Sequence, residues 1–340
     1  MFKHRQAAPA AADLAGTRAG HIKGVLYCLA ATLLWGGMFP VMTEALVRID
    51  PFTFSALRYT LAGIAFLALL LAREGRVALS FNGDSIFPAW LFGTAGFAGF
   101  GFLVFYGQQL AGEDGALTAS IMMATQPMLA LLVTWFIRKS APPPYSFAFI
   151  LLSFCGVALV VTKGNIHGLI TEPQNYGADS LIVLGASCWV IYTIGAGFYP
   201  NWSAVKYTAF TTLLGLTSVY AISGALIVAH VIPMPTARVV ASVAPHLGYM
   251  ALFAGFIAVL SWNTGNKIIT PMNGVLFMDV VPLTAFVISA LQGNVPVGIQ
   301  IVGAGMTCSA LILNNWYLRS RTPANTPVRI PMHLRRSVSR

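Results

Sequence analysis

The chain has 340 residues, 57% of them hydrophobic and only 9% charged, against about 25% charged in an ordinary soluble domain. That composition argues against a water-soluble enzyme, and the formal charge of +10 argues no nucleic-acid role, because the basic residues sit mostly in tails and short loops, as membrane topology requires. The four cysteines, Cys28, Cys155, Cys188 and Cys308, lie in apolar stretches without ligand-like spacing; they read as small packing residues, and no disulfide framework, metal site or cofactor motif is indicated.

Ten apolar segments, each near the ~20 residues that cross a hydrocarbon core, fill the chain almost end to end. Residues 1–23, rich in alanine and basic side chains, read as a disordered cytoplasmic arm. The first apolar segment follows a basic stretch but is longer than a signal-peptide core, and it is read as a retained span. Span 1 runs about Gly24 to Leu46, and span 2 opens on Asp50-Pro51, an N-cap followed by proline at the first helical position, and runs to about Ala72. Span 3 is expected over Ile86 to Gln108, span 4 over Gly115 to Ile137, and span 5 over Tyr145 to Thr162. A connector over 163–176, expected on the periplasmic side, separates two halves. Span 6 follows over Gly177 to Phe198, span 7 over Val205 to Val231, span 8 over His246 to Gly265, span 9 over Thr270 to Gln292 and span 10 over Val297 to Leu318. The basic tail, 319–340, is expected to lie against anionic lipid on the cytoplasmic side.

Orientation follows from the loops. Of the 20 Lys and Arg residues, sixteen fall on the side of the N-terminus, three (Arg48, Lys163 and Arg238) on the other, and Arg58 within a span. Both termini are therefore expected in the cytoplasm, which requires an even number of spans.

Three landmarks recur in register. Trp35 returns as Trp189, the tetrapeptide F-A-G-F at Phe97–Phe100 returns at Phe253–Phe256, and Pro127 returns as Pro282. The repeat predicts a duplicated five-span unit, and because five is odd the second copy must enter the membrane upside down. The expected fold is thus an all-α membrane protein of ten transmembrane helices in two inverted five-helix repeats, residues 24–162 and 177–318, a plan characteristic of secondary transporters with a midplane site.

On W-G-G-M-F-P in span 1, D-P-F-T-F-S-A-L-R-Y at the start of span 2, and the mid-helix prolines of spans 4 and 9, the chain resembles the EamA-type transporters of the drug/metabolite transporter superfamily. The resemblance covers roughly residues 22 to 318. It implies a multi-pass protein of a bacterial-type inner membrane that exports or imports small metabolites, amino acids or their analogues among them, through a cavity lined mainly by spans 1, 3, 4, 6, 8 and 9. The chain departs from the family where many members carry Glu before the prolines of spans 4 and 9. Gln126 and Val281 stand there, with Asp279 displaced by two positions.

Two charges are expected inside the membrane. At 1.5 Å per residue, Arg58 lies about 12 Å below one end of span 2 and Asp279 about 12 Å above the opposite end of span 9. Their backbones then differ in depth by only about 6 Å in a core about 30 Å thick, so they are a candidate ion pair, direct or through water. Fixed structural pairing or separate cavities are the alternatives. Asp279 is also a candidate proton carrier, which would make protons the coupling ion, although facilitated exchange needs none. Trp35, Tyr106, Gln108, Gln126, Trp189, Tyr192, Trp262 and Asn263 form the candidate substrate-binding set, apolar walls with a few placed polar groups. An aromatic belt at the membrane surface is the competing reading, and it suits Tyr106 and Trp262, near span ends, better than Trp35 and Trp189. Pro127, Pro282, Gly99 and Gly255 are expected to let helices flex. Gly303 and Gly305 in span 10 offer a homodimer face, with intramolecular packing as the alternative. The expected partners are a small-molecule substrate and the lipid bilayer. A membrane-embedded enzyme is the rival reading, disfavoured because the titratable side chains are dispersed, as is a non-transporting membrane partner.

Overall fold

The computed structural model describes residues 18–81, 83–112, 115–138, 174–291 and 297–321, with scattered positions in 145–164 and Gly293. The helices in the first half are α1 (Arg18–Gly36), α2 (Met38–Leu46), α3 (Pro51–Glu74), α4 (Ile86–Gly93), α5 (Phe100–Leu110), α6 (Gly115–Met122) and α7 (Gln126–Arg138). The second half holds α8 (Gln174–Gly195), α9 (Ala204–Val228), α10 (Ala237–Ser242), α11 (Ala244–Gly248), α12 (Ala258–Ile269), α13 (Pro271–Gly274), α14 (Val280–Leu291) and α15 (Gly298–Arg321). Several of these are segments of one continuous rod. Among the described residues, 7 helices are long and apolar enough to cross a membrane: Ala19–Leu46, Pro51–Glu74, Ile86–Leu110, Thr118–Phe136, Tyr176–Phe198, Ala204–Val228 and Ala244–Ile269. The expected span 5 and the connector fall largely outside the described residues, as do the arm before Arg18 and the tail after Arg321. Over the expected span 9 the described residues give a shorter apolar stretch, Val275–Ala285, with a 3-10 segment at Val275–Asp279.

Local chemistry sets the ends. The Asp50 carboxylate accepts from Thr53 N at 2.8 Å and Pro51 occupies the first turn, where its missing N–H leaves no orphan donor. Ser203 caps α9 through Lys206 N at 2.9 Å. Helix α1 opens at Arg18, ahead of the expected Gly24, with His21, Ile22 and Lys23 exposed and Gly20 buried. Thr270 turns the chain between α12 and α13 with φ of 75°. The Asn273 amide holds that corner by donating to Ile269 O at 2.7 Å and to the Thr270 hydroxyl.

The two halves pack helix against helix, antiparallel. A Cβ at Gly24 would strike Ile269, the Tyr249 hydroxyl donates to Leu34 O at 2.7 Å, and Glu44 meets His246 at 3.1 Å. The α1–α2 rod therefore runs opposite to the Ala244–Ile269 rod along its whole length. Likewise Gly107 faces Ala178, Gly99 faces Cys188 and Gly96 faces Tyr192, which sets α5 and its preceding turn antiparallel to α8. Helices α3 and α9 do the same, from Ser223 and Phe52 at one end to Ser203 and Glu74 at the other. As a result, the start of α1, the end of α8 and the end of α12 share one end of the bundle.

Small residues allow this proximity, since lipid supplies no hydrophobic drive for helices to associate. The closest crossing is between α4 and α9, where a Cβ at Gly93 would lie 2.0 Å from Thr211 O, and one at Gly215 would lie 2.4 Å from Gly93 O. Gly93→Val or Gly215→Val is therefore expected to destabilise by about 1–3 kcal/mol through overpacking, read as a lower thermal midpoint of the detergent-purified protein. Gly224→Ala on the same helix α9, where a Cβ meets nothing within 4 Å, should hold or raise the midpoint.

Candidate functional site

The site forms where regular helix gives way. Thr94–Gly99 and Tyr249–Ile257 are π-helical, closing with Phe100 N to Ala95 O and Ala258 N to Phe253 O. These are the two segments that carry F-A-G-F. Met123–Thr125 and Val275–Asp279 are 3-10 turns, each just ahead of its proline. Proline removes the N–H that would bond the carbonyl four residues back. In each copy a nearer donor takes that carbonyl, Gln126 N on Met123 O and Val280 N on Met278 O. Single-turn π segments and 3-10 stretches inside helices mark hinges and functional positions, and here they occur at matched places in both halves.

Between them lies a small cavity lined by Trp35, Arg58, Tyr59, Gln126, Trp189 and Met278, with further apolar side chains. About 20 Å³ of it admits the centre of a water molecule, little more than one water needs. The central chamber is thus narrow. Trp35 and Trp189 meet edge to face with centroids 5.2 Å apart, and Trp262 lies 5.2 Å from Trp35 on its other side. Trp35 Nε1 donates to Ala254 O at 3.0 Å, and Trp262 Nε1 to the Thr193 hydroxyl at 3.0 Å. The Trp189 indole N–H, 97% buried by residue, makes no hydrogen bond among the described residues.

Arg58 is buried with 2% exposure. Its guanidinium carbon stands 4.1 Å from the Tyr59 ring and 4.6 Å from the Phe105 ring; Nη2 donates to the Tyr59 hydroxyl and Nη1 lies 3.9 Å from Met38 Sδ. Nε has no partner among the described residues, and neither has Gln126 Oε1. Asp279 ends the Val275–Asp279 turn, but its side chain lies outside the described residues, and with it the pairing to Arg58.

A second, larger space opens at the end of the bundle where α1 begins. This recess of about 270 Å³ is lined by Tyr199, Trp202, Tyr207, Asn263, Asn266 and Lys267 among others. Asn263 Nδ2 donates to the Tyr192 hydroxyl at 2.6 Å and to the Thr208 hydroxyl at 2.7 Å, and the Tyr207 hydroxyl donates to Tyr192 O at 2.7 Å. This polar knot joins α8, α9 and α12. At the rim, the Tyr199 hydroxyl donates to Ser85 O at 2.8 Å, and burial pushes its pKa up to about 12.

Of the eight candidate binding residues, Trp35, Gln126 and Trp189 line the central chamber, Trp262 and Tyr192 back it, and Asn263 faces the recess. Trp262 has no exposure, so of the two belt candidates only Tyr106, 38% exposed against Phe52, has the surface position. Gln108 ties α5 to α2 instead, donating to Phe39 O and to the Thr43 hydroxyl at 2.8 Å each. Tyr59, Phe105 and Met38, the surroundings of Arg58, were not among the candidates. The only cue to them in sequence was Tyr59 adjoining Arg58.

The EamA-like transporter family model matches residues 22–162 and again residues 177–316. The chain belongs to the EamA-like transporter family. Within it, the chain is 37% identical over 299 residues to the uncharacterized transporter YrdR of Bacillus subtilis (strain 168), covering 87% of this chain and 92% of that one. It is 25% identical over 300 residues to the uncharacterized transporter YyaM of the same organism, covering 88% and 95%. A solved crystal structure superposes with a TM-score of 0.63 at 20% identity, over 88% of this chain and 99% of the other, a likeness of fold. With its apolar rods, this EamA-family member is a multi-pass membrane protein.

The two matched tryptophans give a direct test of the chamber. Trp35→Phe strands Ala254 O and should destabilise by about 1–3 kcal/mol, whereas Trp189→Phe removes an N–H that has no partner and should leave the thermal midpoint within about 0.5 kcal/mol of the parent. Thermal unfolding of both purified variants reads the difference.

Proposed function

We propose that this EamA-family protein is a secondary transporter that carries small organic metabolites, amino acids or their analogues among the candidates, across the inner membrane by alternating access between inverted halves, with both termini in the cytoplasm. The observation that carries the reading is the narrow central chamber, lined by buried polar groups without partners among the described residues and placed between matched helix breaks. Support for the duplication comes from one family model matching two successive segments. Support for inversion comes from packing: α1 starts at the end of the bundle where its counterpart α8 finishes, and α12 runs opposite to α1. The halves we assign are residues 24–162 and 177–318, joined through a periplasmic connector over 163–176.

Two-state carriers need equivalent halves that do not sit in equivalent states at one time. The matched indoles have that character. Trp35 is bonded to the π segment of the opposite half at Ala254 O, while Trp189 is not bonded to its own counterpart segment. Pro127, Pro282, Gly99 and Gly255 lie at or beside the helix breaks, where rearrangement costs least.

Uptake and counterflow by purified protein in liposomes test transport itself. Orientation is tested in a variant whose native cysteines are replaced. A cysteine at Asn201, exposed in the turn before α9, should react with impermeant maleimide only from the cytoplasmic side. One at Asn165, in the connector, should react only from the periplasmic side. Labelling of both from one side would sink the inverted arrangement, and a protein that moves no solute in vesicles would sink transport.

A further inference from the structure

We propose that Arg58, together with the indole N–H of Trp189, forms a carboxylate-recognition subsite, so that the transported molecule carries a carboxylate. The inference rests on the transport reading above and narrows its substrate class.

Three observations converge on the chamber. Arg58 has 2% exposure, yet its described neighbours are two aromatic faces, a phenol and a thioether. Among the described residues the ion pair formed is Glu44 with His246, and not at Arg58. Aromatic faces offset part of the desolvation of a guanidinium, but a buried charge is stabilised fully only by an opposite charge and satisfied hydrogen bonds. Second, the open hydrogen-bonding directions at Arg58 and Trp189 are donors. Among the described residues Arg58 Nε and Trp189 Nε1 have no partner, and Nη1 has only the Met38 sulfur. Both residues line the same chamber. A carboxylate offers about four lone-pair sites on two oxygens and suits the planar guanidinium edge. Gln126, fully buried on the same wall with Oε1 unpartnered, is placed to accept from an N–H or O–H next to that carboxylate.

The choice of a carboxylate over a phosphate follows from charge and size. Arg58 is the sole cationic side chain among the described residues lining the chamber, and the other lining groups include Met38, Phe39, Phe100, Val259 and Val281. One monoanion neutralises it, whereas a phosphate dianion would leave an uncompensated charge against apolar walls. About 20 Å³ holds little more than one water, so a substrate must displace apolar side chains as it enters the chamber.

The test uses detergent-purified full-length protein and matched sets of short branched compounds, each as the carboxylate, the α-amino acid, the amide and the amine, with inorganic phosphate alongside. Binding is read by thermal midpoint and by tryptophan fluorescence. Carboxylates and amino acids are expected to raise the midpoint and shift the fluorescence, while amides, amines and phosphate leave both unchanged. Arg58→Gln should weaken carboxylate binding about tenfold to a hundredfold, and Trp189→Phe about three- to tenfold. The wild-type panel alone decides the matter if Arg58→Gln fails to fold. Amides binding as well as carboxylates, a preference for phosphate, no binding by any set, or Arg58→Gln with unaltered affinity would each overturn the subsite. So would recovery of uptake in the exchange Arg58→Asp with Asp279→Arg, which would make Asp279 the partner of Arg58. Neutral-solute uptake in vesicles alongside any of these results leaves the carrier reading standing, and its absence removes both.

Discussion

Lipid offers no hydrogen-bond partner, so every backbone polar group of a membrane bundle must be satisfied within the protein. That constraint decides where this chain can depart from α-helix. Its π segments at Thr94–Gly99 and Tyr249–Ile257 and its 3-10 turns at Met123–Thr125 and Val275–Asp279 all carry buried residues: Phe97 and Ala254 are 0% and 2% exposed, Ala124 and Met278 1% and 2%. Groups released by the irregular turns find partners there, as when the Trp35 indole takes Ala254 O. An aromatic side chain on one half thus holds a broken turn of the other. The chamber lies at these breaks because only the protected interior tolerates them.

Close antiparallel packing gives the two ends of the bundle different characters. At the end where α2 finishes, contacts are numerous and polar: Glu44 with His246, Arg48 donating to Ser242 O at 2.9 Å, and Gln109 donating to Leu46 O at 3.1 Å. At the opposite end Lys206 is buried beneath Trp202 and Phe210 and donates to Ser80 O at 2.6 Å, and the 270 Å³ recess opens beside it. Both ends carry direct polar ties, and the recess indents the second. The chamber between them is narrow.

Much of the frame was legible in sequence because it is written in spacing. The F-A-G-F copies and the paired prolines are local signatures, and they fall on matched irregular turns because Gly and Pro act on the backbone directly. The Asp50-Pro51 start of α3 is local in the same way. Side-chain partners were less legible, since they depend on which faces meet. Trp262 looked interfacial from its place in span 8, yet the α1–α2 rod crosses it and buries it completely. Gln108 looked like a substrate ligand, yet its amide meets the Phe39 carbonyl and Thr43 across α2. The Arg58 enclosure draws Phe105 from α5 and Met38 from α2, a juxtaposition that no window along the chain contains. Depth arithmetic put Asp279 at a height near Arg58 but had no means of finding aromatic rings beside it.

Beside the recess the helices are tied by chemistry of a particular kind. The knot of Asn263, Tyr192, Thr208 and Tyr207 uses neutral amide, phenol and hydroxyl groups on α8, α9 and α12. Each such bond contributes about 1 kcal/mol net, because water can replace either partner once the helices part. A buried ion pair at the same place would cost several kcal/mol to break if one charge stayed behind. On the transport reading proposed above, helices that part repeatedly are better tied by exchangeable neutral bonds, with the buried charge of the chamber, Arg58, kept apart from that knot. Within the tryptophan cluster, Trp262 is bonded toward α8 at Thr193, and Trp189, on the chamber wall, keeps its N–H without a partner among the described residues.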